Sequence, residues 1–196
     1  MIQNIWLRNF KHIVIMSIFV ISSIGQAANF KTVHLNRKDL ATATKLLKKE
    51  RASGDIDEDQ SFKISSAQKG LENHYLVNSA STDPNKPGFN SFIIDLKTSK
   101  VVKLPDHPVL EDSLPELVAV AFRDVQDHGD RAIVIDAKAT VGVGPDSGSE
   151  FHVFGIYLPT ENGGWSIDHD LQRYISGKES LDSVVKSAAA YFEKKK

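Results

Sequence analysis

Hydrophobic and polar positions follow two periods along this chain. Apolar residues recur at helical spacing most clearly in two segments, one near residue 40 and one at the C-terminus. Between them, apolar and polar residues mostly alternate in short runs separated by turn-forming residues, as in antiparallel strands. The pattern predicts an α+β fold in which an antiparallel β-meander of about six strands is flanked by an N-terminal and a C-terminal helix.

Both predicted helices begin at a short polar residue that can cap them. Asn36 precedes the first, and Gly54 lies where the residue after a helix end would favour a positive φ. Ser180 precedes the second. The apolar stripes consist of Leu40, Ala43, Leu46 and Leu47 in the first helix and Leu181, Val184, Val185, Ala188 and Phe192 in the second.

The strands are predicted from alternation and from the turns between them. The clearest unit is a hairpin over residues 89–105, with a polar tip at 97–100. The other predicted strands cover residues 62–66, 74–78, 132–143 and 151–158, and a return strand begins at Trp165. Residues 114–127 fit two patterns. One is a helix with Leu114, Leu117, Val118, Ala121 and Val125 on one face; the other is a strand over 117–123, in which Val118, Val120 and Phe122 alternate, followed by a turn over 124–130. The β-branched content favours the strand.

The first 27 residues have the organisation of a signal peptide. Arg8 and Lys11 give a positive start, residues 13–24 are mostly apolar, and Gly25 and Ala27 fit a cleavage site. The apolar run of twelve residues is shorter than the roughly 20 that a membrane-spanning helix needs. We therefore expect a cleavable signal peptide at 1–27 and one exported α+β domain at 28–196, with an uncleaved anchor as the alternative.

Composition limits the partners of the exported domain. The chain contains no cysteine, so its core must stabilise it without disulfides. Loss of Arg8 and Lys11 with the leader takes the formal net charge from −1 to −3. Nucleic acid and anionic membranes both require a basic patch, so neither is expected as a partner. The basic cluster at 194–196 more simply complements the dipole of the last helix.

The loop 142-GVGPDSGSEFHVFG-155 contains Asp146-Ser147-Gly148, three letters of the nucleophile loop of trypsin-like proteases. The glycine and proline that follow in that family are replaced here by Ser149 and Glu150. The residues after the loop alternate as a strand, whereas a phosphate-binding glycine loop opens a helix. This segment is therefore predicted to be a solvated strand connection that can serve as a contact loop.

Asp55, Asp57 and Asp59 follow the first helix at the spacing of calcium ligands in an EF-hand loop. The glycine required at the sixth position is Gln60, and the glutamate required at the twelfth is Ser66. A solvated acidic loop is the simpler interpretation. Unchanged melting on adding calcium to chelator-treated protein would exclude the metal site.

No histidine pair has the short spacing of a zinc site. Asp168-His169-Asp170 is an acid-flanked histidine, and together with Asp124, Asp130 and His152 it provides the candidates for a hydrolytic or metal-assisted enzyme. That alternative requires these side chains to converge in one pocket. No catalytic residue, metal or cofactor is predicted.

The sequence favours a periplasmic, non-enzymatic binding protein. Small exported domains with polar loops on a rigid sheet often act as inhibitors or immunity proteins against a toxin or cell-wall hydrolase. A hydrolase and a small-ligand carrier are the alternatives. The predicted partner-binding residues lie in three loops and are Asp55, Asp57, Asp59, Asp146, Ser147, Glu150, Glu161, Asn162 and Trp165.

Overall fold

The architecture follows from a computed structural model that describes residues 31–52, 54–65, 73–81, 88–108, 113–126, 131–141 and 148–196. Its strands are β1 (Lys31–His34), β2 (Phe62–Ser65), β3 (His74–Ala80), β4 (Phe89–Asp95), β5 (Lys100–Lys103), β6 (Ser113–Asp124), β7 (Arg131–Val141), β8 (Glu150–Pro159) and β9 (Trp165–Ile167). Its helices are α1 (Arg37–Lys49), α2 (His169–Ile175) and α3 (Leu181–Glu193). The predicted α+β class is confirmed; the predicted signal peptide lies outside these ranges.

The described strands form two antiparallel sheets instead of one sheet of about six strands. The order is β1-β2-β3-β4-β5 in the five-stranded sheet and β6-β7-β8-β9 in the four-stranded sheet. Neighbouring strands in each sheet are therefore consecutive in the chain. The sequence pattern does not mark the division, because the segment that crosses from β5 to β6 resembles any other turn-rich connection.

Four layers result from the packing of these elements. Helix α1 covers the outer face of the five-stranded sheet, where Tyr75, Val77 and Ile94 contact Ala43 and Leu47. The inner faces of the two sheets share a core that includes Leu76, Ile93, Ile133, Ile135 and Tyr157. Helices α2 and α3 cover the outer face of the four-stranded sheet. Coverage on both faces explains the unbroken apolar runs in β4 and β7, since alternate residues enter different cores.

Residues 113–124 form strand β6, which decides between the two interpretations of this segment in favour of the strand. Its register with β7 shifts between Leu117 and Ala119. Such a bulge places an extra residue in one strand and reorients its neighbours. Leu117 and Val120 consequently pack towards the same inner core, while Val118 is 37% exposed.

The predicted helix starts are confirmed, whereas the predicted end of α1 is wrong. Asn36 Oδ1 accepts from the backbone of Lys38 at 2.9 Å and of Asp39 at 3.0 Å. Ser180 caps α3. The residue with positive φ after α1 is Arg51, at 58°, and not Gly54. No helix in the described ranges is long and apolar enough to cross a membrane.

Candidate functional site

A groove of about 340 Å³ opens between the two sheets at one end of the sandwich. Two reverse turns border it: residues 96–99 between β4 and β5, which we call the hairpin tip, and residues 160–164 between β8 and β9, which we call the glycine turn. The floor is apolar and the walls are polar. The lining residues are His74, Ile93, Asp95, Lys97, Lys100, Val102, Asn162 and Gly163.

The hairpin tip is held by Asp95. Its carboxylate accepts hydrogen bonds from Lys97 N at 2.8 Å, Thr98 N at 3.4 Å and Thr98 Oγ1 at 2.7 Å. The hydrogen bond from the Thr98 hydroxyl is the main reason why the pKa of Asp95 is lowered; the backbone donors and His74 add to it, against a smaller opposing effect of burial. Asp95 therefore stabilises its own turn with its negative charge.

The glycine turn is equally well defined. Thr160 exchanges backbone hydrogen bonds with Gly163 and Gly164, each at 2.9 Å, and its hydroxyl accepts from Gly164 N at 3.0 Å. Gly163 has a φ of 72°, a conformation that a side chain would strain. Trp165 is partly buried against the inner core. Its ring thus supports the base of the turn, while Asn162 is exposed at the groove.

Lysines outnumber carboxylates among the residues that line the groove, in a chain whose net charge is −1. Lys97 and Lys100 are exposed on its wall. Neither ammonium group forms an ion pair with a carboxylate in the described ranges, although the Asp95 carboxylate, held by the hairpin tip, lines the same groove. His74 lies opposite Asp95 across β3 and β4. The site can therefore attract an anionic group.

The predicted contact residues are divided between the two ends of the sandwich. Asn162 lines the groove, with Glu161 beside it in the glycine turn and Trp165 at the base of that turn. Glu150 begins β8, and at roughly 3.3 Å per residue it lies about 30 Å from the glycine turn at the other end of that strand. There its carboxylate pairs with Lys138 at 2.7 Å. Asp146 and Ser147 lie outside the described residues.

The acidic segment 55–59 lies beside the last residues of β3, at the opposite end of that strand from His74. The backbone of Asp57 donates to Asn78 O at 2.8 Å, and Ala80 N donates to Asp55 O at 2.9 Å. Asp57 Oδ1 accepts from Gln60 N at 3.0 Å, so this carboxylate stabilises its own loop, as Asp95 does. Across the described ranges, no three acidic or histidine side chains are grouped so that they could hold a metal ion.

The candidate acid–base residues that the structure describes do not converge. His152 Nδ1 lies 2.8 Å from Asp136 Oδ1, in a pair on the outer face near the start of β8. Asp124 is the last residue of β6, and at roughly 3.3 Å per residue it lies about 23 Å from His152 along the strand direction of the sheet. His169 is exposed in the first turn of α2. Asp130 lies outside the described ranges.

Asp168 is the N-cap of α2, a short helix that the sequence analysis missed. Its Oδ1 accepts from the backbone of Asp170 at 2.9 Å and of Leu171 at 3.0 Å, and the Tyr191 hydroxyl donates to Oδ2 at 3.0 Å. Burial opposes ionisation, but these hydrogen bonds and the charge of Lys195 together lower the pKa of Asp168. The carboxylate thus joins α2 to α3 and does not serve His169.

Replacing Asp168 by alanine should lower the free energy of unfolding by about 2 kcal/mol, because it removes a helix cap and the acceptor of the Tyr191 hydroxyl. The matched control is Asp170→Ala, which removes an exposed carboxylate that pairs with Arg173 in the same helix. That change should cost less than about 1 kcal/mol. Urea denaturation of both variants checks the difference, and equal losses would show that Asp168 has no bridging role.

His107 is a partly buried polar residue, and its contacts could not be predicted from the sequence. Its Nε2 lies 3.0 Å from Val153 O and its Nδ1 3.2 Å from the Tyr157 hydroxyl. A carbonyl can only accept, so Nε2 carries the proton and Nδ1 accepts from Tyr157. The ring lies so close to Gly155 that a Cβ there would be 2.8 Å from Nδ1. Burial lowers the pKa of His107 to about 4.

The groove residues on the hairpin side were also missed, although the alternation of β4 contains a signal for them. Ile93 faces the inner core, and Asp95, two positions on, falls on the same face. A charged residue at an inward position marks either a strand end or a polar site. Comparisons of the chain with protein-family models, curated protein sequences and solved structures found no match.

Proposed function

We propose that this chain is an exported periplasmic binding protein of the inhibitor or immunity type, and that its partner is a toxin or a cell-wall hydrolase. The observation that carries the proposal is the groove between the hairpin tip and the glycine turn. Both of its borders are reverse turns fixed by their own hydrogen bonds on a four-layer scaffold. A site of this kind loses little conformational entropy when it binds, which favours affinity.

The part of the proposal that concerns location rests on the sequence of residues 1–27. A positive start, an apolar run of twelve residues and a small-residue cleavage site direct a chain to export. The absence of cysteine fits an exported domain that relies on its core. The described residues form three apolar cores, one between the two sheets and one between each sheet and the helices that cover it. Cleavage after Ala27 predicts a mature protein that begins at Ala28.

The two alternative functions, an enzyme and a small-ligand carrier, are supported to different degrees by the described residues. An enzyme built on the candidate acid–base residues would need them in one pocket, whereas His152, Asp124 and His169 lie at separate places on the sandwich. A small-ligand carrier is favoured by one observation, the groove volume of about 340 Å³, which is at the lower end of the range of roughly 300–1,000 Å³ typical of ligand sites. The carrier therefore remains the second candidate.

A photo-cross-linking experiment in the producing cells tests the proposal. A photoreactive residue is placed at position 162, at the groove, and in a control at position 186, which is exposed on α3 on the far side of the four-stranded sheet. We expect a discrete protein adduct at position 162 and none at 186. Equal adducts at both positions, or none at 162, would contradict a partner site at the groove.

The cross-linked partner then decides the type of binding protein. Mass spectrometry should identify a secreted toxin or a hydrolase of the cell wall. Purified mature protein should inhibit that partner at a 1:1 ratio, and a partner whose activity is unaffected by an excess would overturn the inhibitor function.

A further inference from the structure

We propose that the groove takes an acidic segment of the partner polypeptide, in which a carboxylate contacts Lys97 and Lys100 and a neighbouring apolar side chain contacts Ile93 and Val102. The proposal rests on the proposed function, because it specifies the chemistry of the partner at the same site. It follows from the arrangement of charge and apolar surface in the groove and from its size.

The charge in the groove selects an anion. Lys97 in the hairpin tip and Lys100 at the start of β5 lie three positions apart, and the carboxylate among the lining residues, Asp95, is bound by Thr98 and the backbone of Lys97. On the opposite wall, the side-chain amide of Asn162 can donate a hydrogen bond. A carboxylate placed between the walls would accept from both sides, and charge-assisted hydrogen bonds are the stronger kind.

The floor of the groove selects an apolar neighbour for that carboxylate. Ile93 and Val102 are paired across β4 and β5 and present their side chains on the inner face. Ile93 is only 4% exposed, so the partly buried Val102 provides most of the apolar surface that a partner can contact. A bare inorganic anion would leave this surface uncovered. An acidic residue next to leucine or valine in an extended chain would cover it.

The size of the groove limits how much of the partner enters. A volume of about 340 Å³ accommodates a ligand at the small end of the usual range, which corresponds to a short peptide stretch and not to the face of a folded domain. The groove is bordered by turns on two sides, so a peptide can continue beyond it.

Titration of the purified mature protein with defined peptides tests this inference. The probe is a blocked pentapeptide with one central glutamate between two leucines, and the control peptide has glutamine in place of the glutamate. We expect the glutamate peptide to bind about tenfold more tightly at low salt. In amide NMR spectra, its titration should shift the signals of Lys97, Thr98, Lys100 and Gly163.

Matched variants of the protein locate the charge. The double change Lys97→Gln and Lys100→Gln should abolish the preference for the glutamate peptide, while Lys186→Gln on α3 should leave it unchanged. Raising the salt concentration to 1 M, where the screening length is only about 3 Å, should also reduce the preference in the unsubstituted protein. Equal binding of both peptides, binding of neither, or a double variant that keeps the preference would overturn the inference.

A free small acid distinguishes a peptide site from a carrier site. 4-Methylpentanoate has the same carboxylate and apolar body without the peptide, and it should bind more weakly than the glutamate peptide. Tighter binding of the free acid would replace the peptide proposal with a small-ligand site. An adduct at position 162 with no carboxylate preference would refute this inference and leave the proposed function standing, whereas carboxylate binding without an adduct would refute the proposed function.

Discussion

Lowering the pH from 7 to 4 should reduce the free energy of unfolding by about 3 kcal/mol through His107 alone. The pKa of His107 is about 4 in the folded protein and about 6.5 in an unfolded chain. The unfolded state therefore binds the proton more readily. Each pH unit between these two pKa values lowers the free energy of unfolding by up to about 1.36 kcal/mol. The stability is fully present above pH 6.5 and is lost as the pH falls towards 4.

The physical cause is the enclosure of the ring between the sheets. Both ring nitrogens are engaged by Val153 O and Tyr157 Oη, and Phe89 packs against the ring at 5.5 Å between centroids. A protonated ring would lack the hydration that an exposed imidazolium has. The Tyr157 hydroxyl cannot compensate by ionising, because burial, together with the nearby Asp106 carboxylate, raises its pKa.

Urea denaturation at intervals between pH 7 and 4 measures this loss, and His107→Gln is the matched variant. Glutamine keeps an acceptor and a donor but does not titrate. The free energy of unfolding of the variant should therefore fall by about 3 kcal/mol less than that of the unsubstituted protein over this pH range. Asp95 and Asp168 have lowered pKa values, so their contribution is lost only as the pH falls below about 4, the ordinary range of a carboxyl. Parallel curves for the variant and the unsubstituted protein would refute the role of His107.

Local patterns predict the elements of this fold better than they predict its layers. The caps Asn36 and Ser180 act on amides two or three residues away, so their function is visible in a short stretch of sequence. The division into two sheets depends on contacts between strands far apart in the chain, such as those of Leu76 and Ile93 with Ile133. No period in the sequence distinguishes one apolar face from another when both faces of a strand are buried.

Buried polar groups are the second limit of sequence reasoning here. The sequence pattern indicates that Asn78 is the polar end of a strand, yet its side chain is fully buried on the inner face. There it accepts a hydrogen bond from the Ser91 hydroxyl and donates one to Gln60 O. Ser61, also fully buried, accepts from Asn78 N at 3.0 Å. Each group is explained only by partners 13 to 18 residues away.

The candidate site illustrates both limits. Asn162 was predicted from a turn-rich sequence at the edge of a strand, which is a local signal. Lys97 lies in the hairpin tip and Lys100 begins β5, and the sequence of this segment indicates only a turn. Their relation to Asn162 depends on the packing of the two sheets, and so the groove could not be predicted before that packing was known.

Replacing Gly54 by alanine should destabilise the protein by about 3 kcal/mol or more, above the usual range for overpacked sites. A Cβ at this position would lie 2.0 Å from the carbonyl oxygen of Ala80, and a backbone oxygen in a strand cannot rotate away. The segment after Gly54 would have to leave β3. It would then lose the hydrogen bonds that join Asp55 to Ala80 and Asp57 to Asn78.

The effect should extend from the edge of the sheet into its buried polar groups. Asn78 O accepts from Asp57 N at 2.8 Å and from Ser61 Oγ at 3.5 Å. Displacement of the segment leaves this buried carbonyl with only the long hydrogen bond from Ser61, and a poorly satisfied buried acceptor costs about 1–3 kcal/mol. Gly148→Ala is the control: among the described residues, no heavy atom beyond the chain neighbours lies within 4 Å of an added Cβ, but φ is +84°, so this variant measures backbone strain of about 1–2 kcal/mol without a clash. If urea denaturation finds the Gly54 variant no less stable than the Gly148 variant, the close contact with Ala80 does not constrain the fold.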